Sequence, residues 1–424
     1  MPSLSSIFLT IFAISPSLLA TTLVNARPLS SPLPRSSPPE QPLRFYISGY
    51  DKNIRQFDFQ PGVGAKQVGI FNVGGPVGPS WLEYRYDSDP ASPNGRRLSK
   101  VYATDGGDHG RVLAFDVDNA SGNLNFKQEG TTGAGPVTVT TVGGSRGLSC
   151  LITADYGGGS VTVHDLASQD GAFNSSDPLQ AFQFNGSGPV TSRQDRSYAH
   201  QAIVDPSGRF LYAVDLGTDQ IHVISIPTAD KTKDDEVCSS LKVMDSIQVA
   251  AGSGPRHVAF HKSPSRGDTY VYLASELANT ITAFQQDSQS GQLRQIGEPI
   301  LVLPPGTTFP GYSETAPNVG EVVTTADGKF VLISTRNSPD NIDHIAVFSR
   351  CEHTGQLTWL DWYPTEGKTV RHFSLSPDAE SKYVLAANSD SNSAMIFSRD
   401  PISGALKKET LVTDLDKPNF ARFV

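Results

Sequence analysis

The stretch AHQAIVDPSGRFLYAVDLGTDQIHVISI, from Ala199 to Ile226, decides the fold. Apolar residues alternate with polar ones in a first run, Ala199 to Val204. The turn residues Asp205-Pro-Ser-Gly follow, then a second run from Leu211, a polar turn at Gly217–Asp219, and a third run from Ile221. Period-2 alternation broken by Gly, Pro and Asp is the signature of antiparallel strands. No stretch of the chain sustains a helical period.

The second and third runs recur as a hairpin. Copies begin at Phe45 (FYISGYDKNIRQFDF), Val101 (VYATDGGDHGRVLAFDVD) and Leu151 (LITADYGGGSVTVHDL). Others begin at Val271 (VYLASELANTITAFQQD), Val331 (VLISTRNSPDNIDHIAVFSR) and Val384 (VLAANSDSNSAMIFSRD). With Leu211 that makes seven, and aligning Gly49, Asp105, Asp155, Asp215, Ser275, Thr335 and Asn388 gives a period of roughly 50–60 residues. The first run also recurs, at Gly78, Gly135, Gly254 (GPRHVAFH), Val319 and Val370, but not ahead of Phe45. Its missing copy stands at the other end of the chain, as KPNFARFV from Lys417. The expected fold is therefore all-β: a seven-bladed β-propeller closed by the C-terminal strand, which completes the N-terminal blade. Closure removes the exposed edges of an open array. A weaker fourth run, such as LRQIGEPI from Leu293, makes four strands per blade.

Residues 1–26 carry no Lys, Arg, Asp or Glu, hold apolar runs at Ile7–Ile14 and Leu18–Val24, and end in Val24-Asn25-Ala26. They read as a secretory signal peptide, too short and broken for a membrane span. Residues 27–44 are Pro-rich and read as an extended linker, so the propeller is expected over 45–424. Sequons at Asn119, Asn174 and Asn185 fall in polar stretches and, with the leader, predict a secreted glycoprotein. The chain has 424 residues, 38 Gly, 30 Pro, only 18% charged residues and a net charge of −9. An acidic balance leaves no electrostatic footprint for nucleic acid, and a small-molecule partner, no membrane and a monomer are expected. The three cysteines, Cys150, Cys238 and Cys351, lie in different repeats, so one disulfide at most is expected and its pairing stays open.

Topology places the chemistry. The first run of each repeat is the innermost strand, lining the central channel. Its start and the end of the second strand lie at one face. The inner-strand starts bring His200, Arg256, His257, Glu321, Arg371 and His372 there, and the second-strand ends bring Asp215, Glu276, Arg336, Asn337 and Asn388. Polar residues at strand ends are often only turn caps, so any one of these has a structural alternative. Three Arg and three His around one channel nevertheless make a cationic site that calls for carboxylates or an anionic ligand. The connections 167–198, 227–241 and 303–318 are expected to overhang the same mouth.

With these residues in place, the chain resembles the lactonase family of seven-bladed propellers, which includes 6-phosphogluconolactonase-like proteins and carboxy-cis,cis-muconate cyclases. The likeness rests on the Ala199 segment, on GSGPRHVAFH with VYLASELANTITAF, on NVGEVVTTADGKFVLISTRN, and on VRHFSLSP with YVLAANSDSN, and it covers Phe45 to Val424. The resemblance implies catalytic roles for His200, Arg256, Glu276 and Arg336 and matches Arg371 to a further recurrent Arg; with His257, Glu321 and His372, which topology brings to the same mouth, Arg371 is expected to bind substrate. The long turn after Arg336 and the leader depart from the family pattern. The implied enzyme opens or forms the ring of an anionic lactone. Arg256 and Arg336 would clamp the anion and stabilise developing charge, and Glu276 or His200 would move the proton. The alternatives are a muconate cyclase-type isomerase and a non-catalytic propeller that binds an anionic sugar or a protein. There is no Gly-x-Ser-x-Gly elbow and no Cys triad context, so no covalent intermediate is expected. No cofactor is expected; for a calcium site only Glu321 and Asn388 are candidates.

Overall fold

The computed structural model describes residues 42–92, 95–144, 147–167, 170–228 and 236–424. The signal-peptide reading and nearly all of the Pro-rich segment lie outside these residues. The described residues form seven antiparallel sheets. Blade 1 joins the C-terminal strand Pro418–Phe423 to Leu43–Gly49, Asn53–Gln60 and Gly64–Asn72. Ile47 pairs Ala421 and Phe45 pairs Phe423, so the ends of the propeller close the ring within one sheet. The first strand starts at Leu43, two residues inside the expected linker, because Leu43 pairs Phe59 and Arg44 holds Asp58 at 2.9 Å.

Blades 2 to 7 follow in chain order, each running from the channel outward. Their inner strands are Pro79–Ser88, Pro136–Gly144, Ala199–Val204, Pro255–Lys262, Asn318–Thr324 and Val370–Leu375. Second and third strands such as Phe210–Asp215 and Gln220–Ser225 are buried almost throughout, because a neighbouring blade covers each face. Outer strands such as Leu293–Leu301 alternate between partial and full exposure. The hydrophobic core is correspondingly divided into seven clusters, one between each pair of adjacent blades. Burying one of their Phe, Leu or Ile side chains contributes about 1.5–3 kcal/mol.

Four blades add a polar tie to the next one. Tyr46, Tyr102, Tyr212 and Tyr272 occupy the same place on their second strands, three residues before Gly49, Asp105, Asp215 and Ser275. Their hydroxyls donate to the carbonyls of Gly122, Gly171, Gly291 and Gly355 at 2.6, 2.6, 2.6 and 3.1 Å. Each of those glycines ends a turn with φ between 68° and 76°, which a side chain would strain.

Two expectations about connections are corrected. Gln180–Gln183 is the outer strand of blade 3, so 167–179 joins third to fourth strand at the face away from the mouth, and only 184–198 lies over the mouth. Likewise the third strand of blade 4 leads into that blade's own short outer pieces, Lys242–Val243 and Ile247–Gln248, so the expected connection 227–241, of which 229–235 lie outside the described residues, runs within a blade and not between two. A short, split outer strand has too little alternation to be seen in the sequence. Cys150 and Cys238 form a buried disulfide across 88 residues, tying that connection to blade 3; Cys351 is free and exposed.

Candidate active site

The inner strand of every blade has a register shift close to its start. One extra residue sits there without a partner on the second strand, and such a bulge re-aims side chains. The unopposed positions are Asn419, Ser80–Trp81, Val137, His200, Arg256, Gly320–Glu321 and Arg371. Ser80, Val137, His200, Arg256, Arg371 and Asn419 all line one cavity of about 50 Å³ at the mouth of the channel. It adjoins a larger recess of about 350 Å³ over blades 1 to 3, with which it shares Tyr50, Ser80 and Val137. Gly78, Gly106, Gly107, Gly135 and Gly157 form much of the wall of that recess, with Tyr156 and Arg196 at its edge.

Glu276, one residue past the second strand of blade 5, is the centre of the charge arrangement and only 3% exposed. Arg336 Nη2 lies 2.7 Å from its Oε2, Arg256 Nε 3.2 Å from the same oxygen, and Arg193 Nη2 2.7 Å from Oε1. Burial alone would raise the Glu276 carboxyl, but Arg336, Arg193 and Arg256 hold it well below the ordinary carboxylate range. Arg256 also donates to Gly320 O at 2.8 Å and Arg336 to Val319 O at 2.6 Å. Burial and the neighbouring Arg336 push Arg256 down to about 9, so it remains a cation at neutral pH. The buried Arg336 Nε has no hydrogen-bond partner among the described residues. Three arginines thus share one carboxylate. Arg371, which packs over Tyr50 at 5.7 Å, has no carboxylate within ion-pair distance among the described residues.

The histidines form a second line. His200 Nδ1 is 3.1 Å from His257 Nε2, and His257 Nδ1 is 2.8 Å from Glu321 Oε2. Burial, then the positive charge of Arg256, keeps His200 well below the usual imidazole range. His257 is lowered by burial as well, and His372 to about 3. Glu321 is pulled down to about 2: burial opposes this, but His257, His372 and Arg256 prevail. His372 Nδ1 accepts from the Ala421 amide at 3.3 Å, and its Nε2 lies 3.8 Å from Glu321. Trp81 packs edge-on to His257 and His372, and His372 stacks on Phe420 at 4.0 Å. This layer floors the mouth. Beyond it a chamber of about 430 Å³ is lined by Glu321, His372, Glu83 and Arg422.

His200, Arg256, His257, His372 and Arg371 therefore line one cavity, and Glu276 and Arg336 stand behind it, joined to it through Arg256. Glu321 reaches the cavity through His257 and His372 and borders the far chamber. Asp215 and Asn388 are strand-end caps: Asp215 accepts from Ser197, the Tyr198 amide and His222, and Asn388 donates to Thr365 O and Ser393. Asn337, at φ 56°, tethers 303–318 through Glu314 O and Ala316 O. Glu321 and Asn388, the candidate calcium ligands, thus serve different partners, and no group of three His, Cys, Asp or Glu suited to a metal occurs among the described residues. Sequence reasoning missed Arg193, Tyr156 and Tyr312. Arg193 donates to Tyr312 at 3.0 Å and contacts Tyr156 at 3.4 Å, joining the two connections over the mouth. The only signal for Arg193 and Tyr312 was their place on long connections, and Tyr156 stands in the tight turn of the blade 3 hairpin.

The family model described as "Lactonase, 7-bladed beta-propeller" matches residues 44–423. A 6-phosphogluconolactonase of Formosa agariphila is 28% identical over 84% of this chain and 90% of its own. A 6-phosphogluconolactonase of Bacillus subtilis is 29% identical over 74% of this chain and 80% of its own. A crystal structure from Bacteroides fragilis superposes with a TM-score of 0.73 at 29% identity, over 92% of this chain and 99% of that one. The periplasmic gluconolactonase of Pseudomonas aeruginosa shares the fold, with a TM-score of 0.72 at 23% identity over 90% of this chain and 99% of its own.

Proposed function

The chain belongs to the seven-bladed propeller lactonase family, and from that premise we propose that it hydrolyses an anionic lactone at the mouth of its channel. One observation carries the reading: Arg193, Arg256 and Arg336 converge on a single carboxylate, beside a neutral His200. The excess positive charge, with Arg371 beside it, favours a substrate bearing a phosphate or carboxylate. The adjoining recess has the volume for a sugar-sized ring.

The reaction needs an electrophile and a base. The guanidinium of Arg256, which lines the cavity, would face the lactone carbonyl oxygen and stabilise the oxyanion as it forms, with Arg336 beside it on Glu276. Glu276 is a poor base, since three arginines occupy its oxygens and it does not line the cavity. Its work is to keep those arginines in place. His200 is the better acceptor: neutral, at the cavity wall, and able to take a proton from water as the water oxygen attacks the carbonyl carbon. The same proton passes to the ring oxygen as the C–O bond breaks, so lactone and water give one hydroxy acid with no covalent intermediate.

A secreted location is part of the proposal. The Cys150–Cys238 disulfide suits an oxidising compartment. Asn119, Asn174 and Asn185 are all exposed, as glycan acceptors must be. Mature protein from the medium should begin after the apolar leader and lose mass on deglycosylation; intact Met1 in a purely intracellular pool contradicts this part.

The activity is tested in a pH-stat with 6-phosphoglucono-δ-lactone, glucono-δ-lactone and a muconolactone, each against its spontaneous rate. Faster acid release from the charged lactones than from the neutral one is expected. No release from any of them by folded protein would leave a binding propeller.

A further inference from the structure

The hydrogen bonds behind His200 fix where its proton sits. Glu321 is an ionised carboxylate and can only accept, so the proton between it and His257, 2.8 Å apart, is on His257 Nδ1. A neutral His257 then has a bare Nε2. Two donors point to that atom: Arg256 Nη1 at 3.4 Å, which can only donate, and His200 Nδ1 at 3.1 Å. His200 must therefore carry its own proton on Nδ1, which leaves the lone pair on Nε2. We propose that Glu321 and His257 are positioning residues that hold His200 in the Nδ1–H tautomer and so present its Nε2 as the proton acceptor at the mouth. The tautomer stands on these hydrogen bonds together with an ionised Glu321 and a neutral His257; the catalytic half rests on the proposed lactonase reading.

The same geometry states what breaks the arrangement. Glu321 Oε1 accepts the Val322 amide at 3.0 Å. In Glu321→Gln the amide oxygen keeps that bond and the NH₂ group faces His257 Nδ1 as a donor. His257 then carries its proton on Nε2 and His200 is forced to the Nε2–H form, with no lone pair for water. A wrong tautomer disables a histidine base even when every side chain is in position.

Two-bond ¹⁵N–¹H spectra of protein labelled at histidine read the tautomers directly, with His200 assigned by signal loss in His200→Gln. The expected result is Nδ1–H for wild-type His200 and a shift toward Nε2–H in Glu321→Gln. An Nε2–H wild type, or an unchanged spectrum in the variant, overturns the proposal. With 6-phosphoglucono-δ-lactone, Glu321→Gln should lower kcat roughly tenfold or more with KM within about twofold, and Glu321→Asp should restore part of it. Wild-type kcat in Glu321→Gln overturns the catalytic half. His257→Gln is the second variant, and unchanged melting and 6-phosphogluconate binding separate positioning from misfolding. If the wild type opens no lactone while the spectra are as expected, the lactonase reading and the catalytic half fail, but the tautomer assignment is upheld.

Discussion

Arg193 and Glu276 meet at 2.7 Å although one stands on the connection between blades 3 and 4 and the other at the end of a blade 5 strand. The contact carries the connection onto the mouth, where Arg193 also holds Tyr312 of the connection between blades 5 and 6. Arg193 is part-exposed, so its loss should cost the fold little. Arg193→Met should raise KM for the phosphorylated lactone about tenfold, or about 1.4 kcal/mol, with a nearly unchanged melting temperature. Steady-state kinetics beside a thermal melt checks both.

Glu276→Gln is predicted to act mainly on stability. It leaves Arg256 and Arg336 buried without their carboxylate. Removing one partner of such a buried group costs about 3–5 kcal/mol. Added 6-phosphogluconate should restore much of the loss by supplying the missing negative charge. A variant that melts like wild type and gains nothing from the ligand would contradict the assigned role.

The channel makes the protein acid-labile. His372 has a folded value of about 3 against an ordinary 6.5, so between these the unfolded chain binds more protons. That stability is complete above pH 6.5 and drains away as pH falls toward 3. His200 and His257 act in the same sense. Glu321, at about 2 against 4.5, adds stability that is present above 4.5 and lost as pH falls to 2. Melting temperatures should therefore begin to drop just below pH 6.5, and His372→Phe should flatten the first part of that fall. The acid limb of kcat/KM should lie below the usual imidazole range, because His200 resists protonation.

Gly320 is a glycine whose replacement should damage the arginine cluster. A Cβ there would lie 2.4 Å from Val370 O and 2.7 Å from Ser334 Oγ. Its carbonyl also anchors Arg256. Gly320→Ala should cost about 1–3 kcal/mol, as overpacking does, and lower kcat/KM by disturbing Arg256. Denaturant melts and kinetics on the same sample read the two effects.

The architecture was legible because each blade repeats the same alternation and KPNFARFV at the chain end matches GPRHVAFH in blade 5. His200, Arg256, Glu276 and Arg336 could be brought to one face by topology alone. Their mutual order could not: alternation with period 2 does not say which residue of GPRH is unopposed. Arg193 and Tyr312 lie on connections that do not repeat, so nothing in the pattern marks them. The connection 227–241 was misplaced because blade 4 has an outer strand of two short pieces, below the length at which alternation becomes visible. The role of Glu321 was hidden for a different reason. Its place beside His257 depends on two inner strands lying next to each other, 64 residues apart in the chain.

The unopposed residue of each inner strand stands outside the ladder of its blade. It is skipped by the pairing register, and it lies at the channel rather than in the clusters between blades. Read around the ring, Asn419, Ser80, Val137, His200, Arg256 and Arg371 spell an address for the cavity, one letter from every blade but the sixth. Two of the letters also belong to the scaffold: Ser80 bonds Thr104 and the Pro136 carbonyl, and Asn419 accepts from Ser48. The Val137 side chain carries no such tie, so it is the position at which the cavity can be varied with the least cost to the propeller.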